Sequence, residues 1–340
     1  MGPPEITNRT PFAFVPLFIS DAQSRPVFVP VVKATYVLED DGRLSLDEEQ
    51  QPVRLEATCY GDPATSSLEY DTEGHFHKPS TDVVLLGRAH APAGSAVREL
   101  QVGFRVGPVH KLVNVFGDRR LTQRAGMSFV SEPQPFLTMP LTYERAFGGW
   151  DRSDPDADRH GCEPRNPVGA FYRRGGVKLN SDHALPNIED PDRPFRRSGD
   201  TPPPAGFGFV APHWAPRCAL AGTYDEVWKD TLKPALPADF DLRFFNAASP
   251  GLVTPAYLSG DEPVVVLNAS PRGREMFSLP GVSAPACDLM IRGRGAETLQ
   301  TRLDTVIVNM DARRVFLVWR ARVILPDGPL QLTSATIRPC

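Results

Sequence analysis

The sequence predicts a mainly β protein in which antiparallel sheets form a sandwich-like fold, with a long, ordered, proline-rich loop layer and one or two short helices. Proline accounts for 36 of 340 residues, about twice its usual share, and it interrupts helices because it lacks a backbone donor. Runs of β-branched and aromatic residues occupy both ends of the chain, which favours strands there. The middle is rich in aromatic residues but has little helix or strand periodicity.

The first part of the chain, residues 11–130, is predicted to be rich in strands. The run from Pro26 to Asp40 contains many β-branched residues and ends in the turn-like Asp40-Asp41-Gly42. The segments 82–91, 97–108 and 110–119 follow one another with glycine and proline turns between them. Successive strands joined by short turns predict an antiparallel meander.

The second part, residues 131–222, is predicted to form the loop layer. A stretch of this length without periodicity is usually either functional or disordered. Disorder is disfavoured because a solvated linker contains few aromatic residues. The aromatic residues of this part are Phe136, Tyr143, Phe147, Trp150, Phe171, Tyr172, Phe207, Phe209 and Trp214.

The third part, residues 223–340, is predicted to begin with a helix and continue with strands, and the whole chain 1–340 is treated as one domain. Thr223 and Glu226 have the spacing of a capping box, in which each side chain bonds the other's main chain. The helix would bury Val227, Trp228 and Leu232 and end at Pro234.

Two later segments predict strands. The run from Glu262 to Ser270 is short and apolar, and the segments 305–310 and 314–325 flank the turn residues 311–313. Two apolar, β-branched runs around a short polar turn are typical of a β-hairpin.

Charge and hydropathy exclude several classes of protein. The net charge of -4 and the scattered lysines and arginines argue against a nucleic-acid binder. No run approaches the ~20 apolar residues of a membrane helix. The first residues include Pro3, Pro4 and Glu5 where a secretory signal has basic residues, so we expect a cytoplasmic protein.

The sequence contains no recognisable catalytic, cofactor or metal motif. Its five cysteines are far apart and lack a CxxC pair, so we expect free thiols rather than a disulfide framework or a zinc ribbon. His75 and His77 would lie on one side of an extended strand, but no third ligand has a fixed spacing to them. Whether this pair binds a metal is left open.

The stretch LTYERAFGGWD, from Leu141 to Asp151, has the most distinctive composition of the chain. Glu144 and Arg145 are adjacent, so in a strand they would point to opposite faces, and each would need its own partner. The stretch RNPVG combines an amide, a proline and a glycine, which suit a tight reversal. The candidate site residues are Tyr143, Glu144, Arg145, Phe147, Gly148, Gly149, Trp150, Asn166, Pro167, Gly169, Phe207 and Trp214.

Three interpretations of these residues remain open. In the first, their polar side chains would form hydrogen bonds with buried main-chain groups of a layer that lacks strand-to-strand hydrogen bonds. Each buried main-chain group left without a partner costs ~1–3 kcal/mol. They would alternatively form a protein-binding surface, with Trp150, Phe171, Phe207 and Trp214 as anchors or as core residues. A hydrolase would use Glu144 with a second carboxylate such as Asp151.

Several further segments follow one another along the chain: KPSTDVVLLGRAHAP, VFGDRR, MPLTYERAFGG, RNPVGAF, LPNIEDP, PAGFGFVAPHWAPR, GTYDEVW and FDLRFFNAA. With these segments in this order, the sequence resembles an uncharacterised bacterial domain family that is encoded beside type VI secretion spike, PAAR-like and effector genes. The resemblance runs from about Phe12 to Arg320, and it rests on the order of the segments rather than on any single one.

The resemblance implies an adaptor or chaperone rather than an enzyme. Such a protein would bind and stabilise a secreted effector carrying a PAAR-like domain and promote its loading on the spike trimer. The partners would be that effector and the spike, with no nucleic acid and no membrane. A structural component of the injected particle is a third alternative, which would be found in the culture supernatant.

Overall fold

The computed structural model describes residues 2–124, 127–174, 182–197 and 199–340 and shows a mainly β protein. Its sheets are mostly antiparallel, and its helical elements are short. The predicted fold class is therefore confirmed.

Strands make up most of the regular structure of the described residues. In chain order they are β1 Glu5–Asn8, β2 Ala13–Ser20, β3 Pro26–Leu38, β4 Leu44–Leu46, β5 Thr58–Cys59, β6 Leu68–Tyr70, β7 Asp82–Leu86, β8 Arg88–His90, β9 Glu99–Val106, β10 Val109–Phe116, β11 Arg120–Arg124, β12 Met127–Val130, β13 Thr138–Pro140, β14 Phe147–Gly148, β15 Trp150–Asp151, β16 Gly161–Cys162, β17 Ala170–Phe171, β18 Asp182–Ala184, β19 Ile188–Glu189, β20 Pro263–Leu267, β21 Arg274–Ser278, β22 Ala286–Ile291, β23 Gly295–Gln300, β24 Arg302–Asn309, β25 Arg314–Arg320, β26 Val323–Ile324 and β27 Leu332–Arg338.

The helical elements are one α-helix and several 3-10 turns within the described residues. The α-helix, α1, is Glu226–Thr231. The 3-10 turns are Pro92–Gly94, Tyr143–Arg145, Ala157–Arg159, Arg217–Leu220, Leu242–Phe245 and Pro329–Gln331.

The largest sheet is ordered β2-β3-β25-β24-β7, and β4 and β26 also pair with β3. The predicted hairpin is confirmed, because β24 and β25 pair antiparallel and Asn309 lies opposite Arg314. Arg313 completes the turn with a φ of 50°. This sheet supplies the long buried strands on which the rest of the chain packs.

The predicted meander is wrong in its first strand. β9 and β10 do form an antiparallel hairpin. β7, however, pairs in parallel with β24 at the edge of the largest sheet. All the residues of β7 are buried, as is usual for a parallel strand covered on both faces. The order of the segments along the chain suggested that β7 pairs with β9. Its partner is instead β24, which lies more than 200 residues away in the sequence.

Two further sheets complete the main core. Their orders are β19-β10-β9-β20-β21 and β1-β27-β22-β23. Both contribute to the same hydrophobic cluster as the largest sheet, which we call the main core. Representative members from the three sheets are Val84, Leu317, Phe104, Val264, Leu289 and Ile337.

The loop layer contains only short strands among its described residues. β13 pairs with β8, β14 with β17, and β15 with β16. A small sheet ordered β12-β11-β18 packs beside it. A separate hydrophobic cluster of Leu121, Phe147, Phe171, Leu185 and Phe195, which we call the satellite core, joins this small sheet to the loop layer.

The predicted capping box is wrong, although the helix exists. The N-cap is Asp225, whose side chain accepts from the main-chain N–H of Trp228, whereas Thr223 bonds Asp239. Val227 and Leu232 are exposed rather than buried. An aspartate caps a helix as well as a threonine does, so the cap lies two residues later than the motif indicated.

The five cysteines are free. None of the helices in the described residues is long and apolar enough to cross a lipid bilayer. No group of three or more metal-ligating side chains occurs in that same part of the chain.

Candidate functional site

The stretch LTYERAFGGWD, which lies in the predicted loop layer, turns sharply rather than running as a strand. Tyr143–Arg145 form a 3-10 turn, and the chain then enters β14 and β15. β14 pairs parallel with β17, which follows the RNPVG stretch. We call these two segments, residues 141–151 and 165–171, the junction.

Glu144 and Arg145 each have their own partner. Both oxygens of Glu144 accept from Ser67, from its main-chain N–H at 2.6 Å and from its hydroxyl at 2.9 Å. Arg145 donates to the side-chain oxygen of Asn187 at 3.2 Å and lies 3.5 Å from a carboxylate oxygen of Asp118. The two adjacent charges therefore tie the 3-10 turn to separate parts of the fold.

Asn166 lies at the centre of the junction and is fully buried. Its amide nitrogen donates to the carbonyl oxygens of Tyr143 at 2.8 Å and of Phe147 at 3.0 Å. Its own main-chain carbonyl oxygen accepts from the N–H of Gly149 at 2.8 Å. One residue thus satisfies the buried Phe147 carbonyl and gives a second donor to the Tyr143 carbonyl, which also accepts from the N–H of Ala146.

The glycines of the junction lie where the two segments approach most closely. A Cβ on Gly149, whose φ is 94°, would lie 2.3 Å from the carbonyl oxygen of Gly169. A Cβ on Gly148 would lie 2.1 Å from the carbonyl oxygen of Asn166. The N–H of Gly169 donates to the carbonyl oxygen of Asn166 and so closes a tight turn. Pro167 occupies the second position of this turn, where proline is favoured.

The aromatic candidates divide between the two cores. Tyr143 packs edge-on against Trp214 with ring centroids 5.6 Å apart, and Phe207 packs edge-on against Phe104; all four are in the main core. Trp150 differs, because 47% of it is exposed.

Phe147 belongs to the satellite core, not to the main core. Within that core, Phe171 contacts Phe195 edge-on at 4.6 Å. Phe171 has a φ of 82°, an unusual value for a bulky residue. The junction therefore runs from one hydrophobic core to the other, with Tyr143 in the main core and Phe147 in the satellite core.

Lys111 and Tyr143, which both line one cavity, share a hydrogen-bond partner that sequence reasoning missed. The Tyr143 hydroxyl and the Lys111 ammonium both donate to the hydroxyl of Ser249, at 3.0 Å and 2.6 Å. Ser249 donates in turn to the carbonyl oxygen of Gly206. The Ser249 proton is thereby held by the main chain, so the group does not present an activated nucleophile.

This cavity, the Lys111 cavity, has a volume of about 390 Å³ and is lined partly by prolines. Burial lowers the pKa of Lys111 to about 8, against the opposing charge of Asp190. Burial also raises the pKa of Tyr143 to about 12, against its hydrogen bond to Ser249. Only the positions of Lys111 and Ser249 in space reveal this group, since 138 residues separate them.

The carboxylates of the hydrolase alternative do not form a pair at one cavity. Asp151 accepts from the main-chain N–H groups of Ser153 and Arg174, at 3.1 Å and 2.8 Å. Burial acts to raise its pKa, but these hydrogen bonds outweigh burial and lower it. Glu144 lines a cavity of about 560 Å³ together with Glu69 and Asp311, and Asp151 is not among the lining residues.

His75 is a core residue. Its ring stacks on Phe245 with centroids 5.4 Å apart. Burial lowers its pKa well below the usual value, and the charges of Arg320 and Lys78 add to that effect. His75 is therefore neutral over the physiological pH range, and its packing accounts for its presence.

The small sheet has an exposed apolar edge that sequence reasoning also missed. β12 forms the edge of the β12-β11-β18 sheet, and its residues are exposed. Met127 is 60% exposed and Phe129 is 50% exposed, with Val130 beside them. The apolar run Met127-Ser128-Phe129-Val130 was the available signal, but it does not alternate as a half-buried strand does.

Comparison with known families gives a match over most of the chain. A family model described as "Uncharacterized protein conserved in bacteria (DUF2169)" matches residues 23–320. The matched range includes the whole junction and all strands from β3 to β25. No curated protein and no solved structure matches the chain.

Proposed function

This chain belongs to the DUF2169 family of conserved bacterial proteins, and from that premise we propose that it is an adaptor that binds a secreted effector. It would hold an effector carrying a PAAR-like domain in the cytoplasm and promote its loading on the type VI secretion spike. The ordered segments that carry the resemblance lie almost entirely within the matched range.

The observation that carries the proposal is the exposed apolar edge at β12. A strand at the edge of a sheet presents main-chain donors and acceptors to another chain, and soluble proteins usually protect such edges. Here Met127 and Phe129 leave it apolar and accessible. An extended effector segment added to this edge would pair with its main chain and cover these side chains.

The junction supports this proposal by supplying a rigid base. The satellite core joins β11, the neighbour of β12, to Phe147 and Phe171 of the junction. Because a rigid surface loses little conformational entropy on binding, it gives higher affinity for the same contact area. We therefore assign the junction a structural role and the β12 edge the binding role.

The proposed interface makes a direct prediction. In the double variant Met127→Ser/Phe129→Ser, we expect the amount of effector that co-purifies from the native host to fall about tenfold or more, since truncating a central apolar anchor costs about 2 kcal/mol or more. Quantitative mass spectrometry of the pull-down measures this. Met276→Ser is the matched control, because Met276 is also 60% exposed but lies on β21 of another sheet.

Three outcomes would contradict the proposal. Equal recovery of the effector with the double variant and with the control removes the β12 edge as the binding site. Loss of self-association in the double variant, measured by light scattering, assigns the edge to a second copy of this chain. Detection of the protein in culture supernatant, in amounts comparable to the spike, favours a component of the injected particle.

A hydrolase is the second candidate, because Glu144 lines an open cavity with two other carboxylates. The adaptor proposal predicts that Glu144→Gln lowers the free energy of unfolding by about 1–2 kcal/mol through weaker bonding to Ser67. It also predicts unchanged recovery of the effector. Urea denaturation and the same pull-down measure these quantities.

The hydrolase alternative predicts a different pattern for the same variant. A hydrolytic turnover that Glu144→Gln and Glu69→Gln each abolish, while both variants remain folded, would establish catalysis at this cavity. Such a result would contradict the structural role that we assign to Glu144.

A further inference from the structure

A small, strongly basic cavity lies at the end of the largest sheet, away from the junction. Its volume is about 210 Å³. It lies between the start of β24, the end of β25 and the segment 76–78 that covers this face of the sheet. The ionisable groups that line it and matter here are His77, Lys78, Arg302, Asp304, Arg320 and Arg322.

The positive charges of this cavity are only partly balanced by carboxylates of the protein. Lys78 is paired with Asp82 at 2.9 Å, and Arg320 with Asp304 at 2.6 Å. Arg302 and Arg322 form no ion pair with any of the residues described. The lining therefore keeps two unneutralised guanidinium groups.

The strand register places like charges opposite each other. Arg302 of β24 is the direct cross-strand partner of Arg320 of β25, and such like-charge pairs are destabilising. Arg322 follows two residues after Arg320, and its guanidinium lies over the ring of Phe76 at 5.6 Å. An anion between these groups would remove the repulsion.

Arg320 supplies an unused donor. Its side chain is only 4% exposed. Its Nε donates to Asp304, and its Nη1 donates to the carbonyl oxygens of Glu73 and His75. Its Nη2 is buried and has no hydrogen-bond partner in the described residues. The second oxygen of Asp304 already accepts from the Thr305 hydroxyl at 2.9 Å.

A buried charged donor without an acceptor is costly and therefore rare. The Tyr257 hydroxyl, which also lines the cavity, donates to the carbonyl oxygen of Lys78, and its oxygen does not accept from Arg320 Nη2. None of the described side chains accepts from Nη2, so its acceptor is a group from outside the chain, either water or an anion.

We propose that this cavity binds an oxyanion of phosphate or sulfate size, either free or as the terminal group of a small ester. The guanidinium groups of Arg302, Arg320 and Arg322 would donate to its oxygens, and His77 would contact it from the covering segment. Guanidinium forks match the oxygens of phosphate in geometry and charge. This oxyanion cavity is independent of the effector-binding proposal.

Titration with inorganic phosphate tests the proposal, with chloride varied to keep the ionic strength constant. We expect saturable binding by calorimetry with a Kd of about 1 mM or tighter, together with a shift of the His77 imidazole resonances. Arg302→Gln/Arg322→Gln should weaken binding at least about tenfold, because two charge-assisted contacts are lost. This variant keeps the buried Arg320 and so preserves the fold.

The control and the comparison ligands complete the test. Arg274→Gln also removes one exposed arginine, from β21 of another sheet, and should leave the Kd unchanged. Glycerol phosphate binding more tightly than inorganic phosphate identifies an ester as the ligand, and equal or weaker binding identifies the free ion. The proposal is overturned if binding does not saturate at a phosphate concentration about 10-fold above a Kd of about 1 mM. It is also overturned if the double variant binds phosphate with the same affinity as the original protein.

Discussion

Replacing Asn166 with alanine should destabilise the protein by about 2–4 kcal/mol, because it leaves one buried carbonyl unpaired, at ~1–3 kcal/mol, and removes one of two hydrogen bonds to another, at ~0.5–1.5 kcal/mol. The first is the carbonyl of Phe147, and the second is the carbonyl of Tyr143, which also accepts from the N–H of Ala146. Asn166 is fully buried, so water does not replace the lost donor without opening the junction. Urea denaturation followed by circular dichroism measures the change in the free energy of unfolding.

Asn114→Ala provides the control. Asn114 lies on β10 and is half-buried, and its side chain accepts from Gln101 at a long 3.3 Å. Its replacement should cost less than about 0.5 kcal/mol, as is usual for substitutions near the surface. Equal effects of the two substitutions would show that the junction does not depend on the Asn166 amide.

Replacing Gly149 with alanine should destabilise the protein by at least about 3 kcal/mol, from two separate causes. A left-handed φ costs a residue with a Cβ about 1–2 kcal/mol, and the φ of Gly149 is 94°. The new Cβ would also lie 2.3 Å from the carbonyl oxygen of Gly169. The two segments of the junction would have to separate, which breaks the Gly149–Asn166 bond.

Gly251 separates these two causes. Its φ is 88°, close to that of Gly149, but a Cβ there would meet nothing within 4 Å. Gly251→Ala should therefore cost only the backbone strain of about 1–2 kcal/mol. If the two alanine variants have the same free energy of unfolding, the close approach inside the junction does not contribute to stability.

Sequence reasoning predicted the local parts of the fold well. The β24–β25 hairpin was predictable because its turn and both its strands are contiguous in the chain. β3 was predictable because β-branched residues fill it. The pairing of β7 with β24 was not, since the continuous apolar run of β7 indicates a buried strand but does not identify its partner.

The junction shows the same limit. Residue types predicted that Glu144, Arg145 and Asn166 would need partners in a layer without ladder bonds. The partner of Glu144 is Ser67, which lies 77 residues earlier, and only the fold brings the two together. The identity of each partner therefore came from the structure, while the need for one came from the sequence.

The surface features were the least predictable. Neither β12 nor the pair Arg302 and Arg322 is distinctive in the sequence, because a short apolar run and scattered arginines form no pattern. They become distinctive only in the structure, where β12 lies at a sheet edge and the two arginines line a cavity. The proposals on these surfaces therefore rest on position rather than on composition.

Native-state hydrogen exchange tests most directly whether the junction is a rigid structural unit. The N–H groups of Gly149, Ala170 and Tyr172 each donate to main-chain carbonyls of the junction, at 2.8, 2.9 and 2.7 Å. We predict that they exchange only through global unfolding, with the same opening free energy as the amides of β3. Exchange through a local opening at a small fraction of that free energy would contradict a rigid junction and the structural role of its polar side chains.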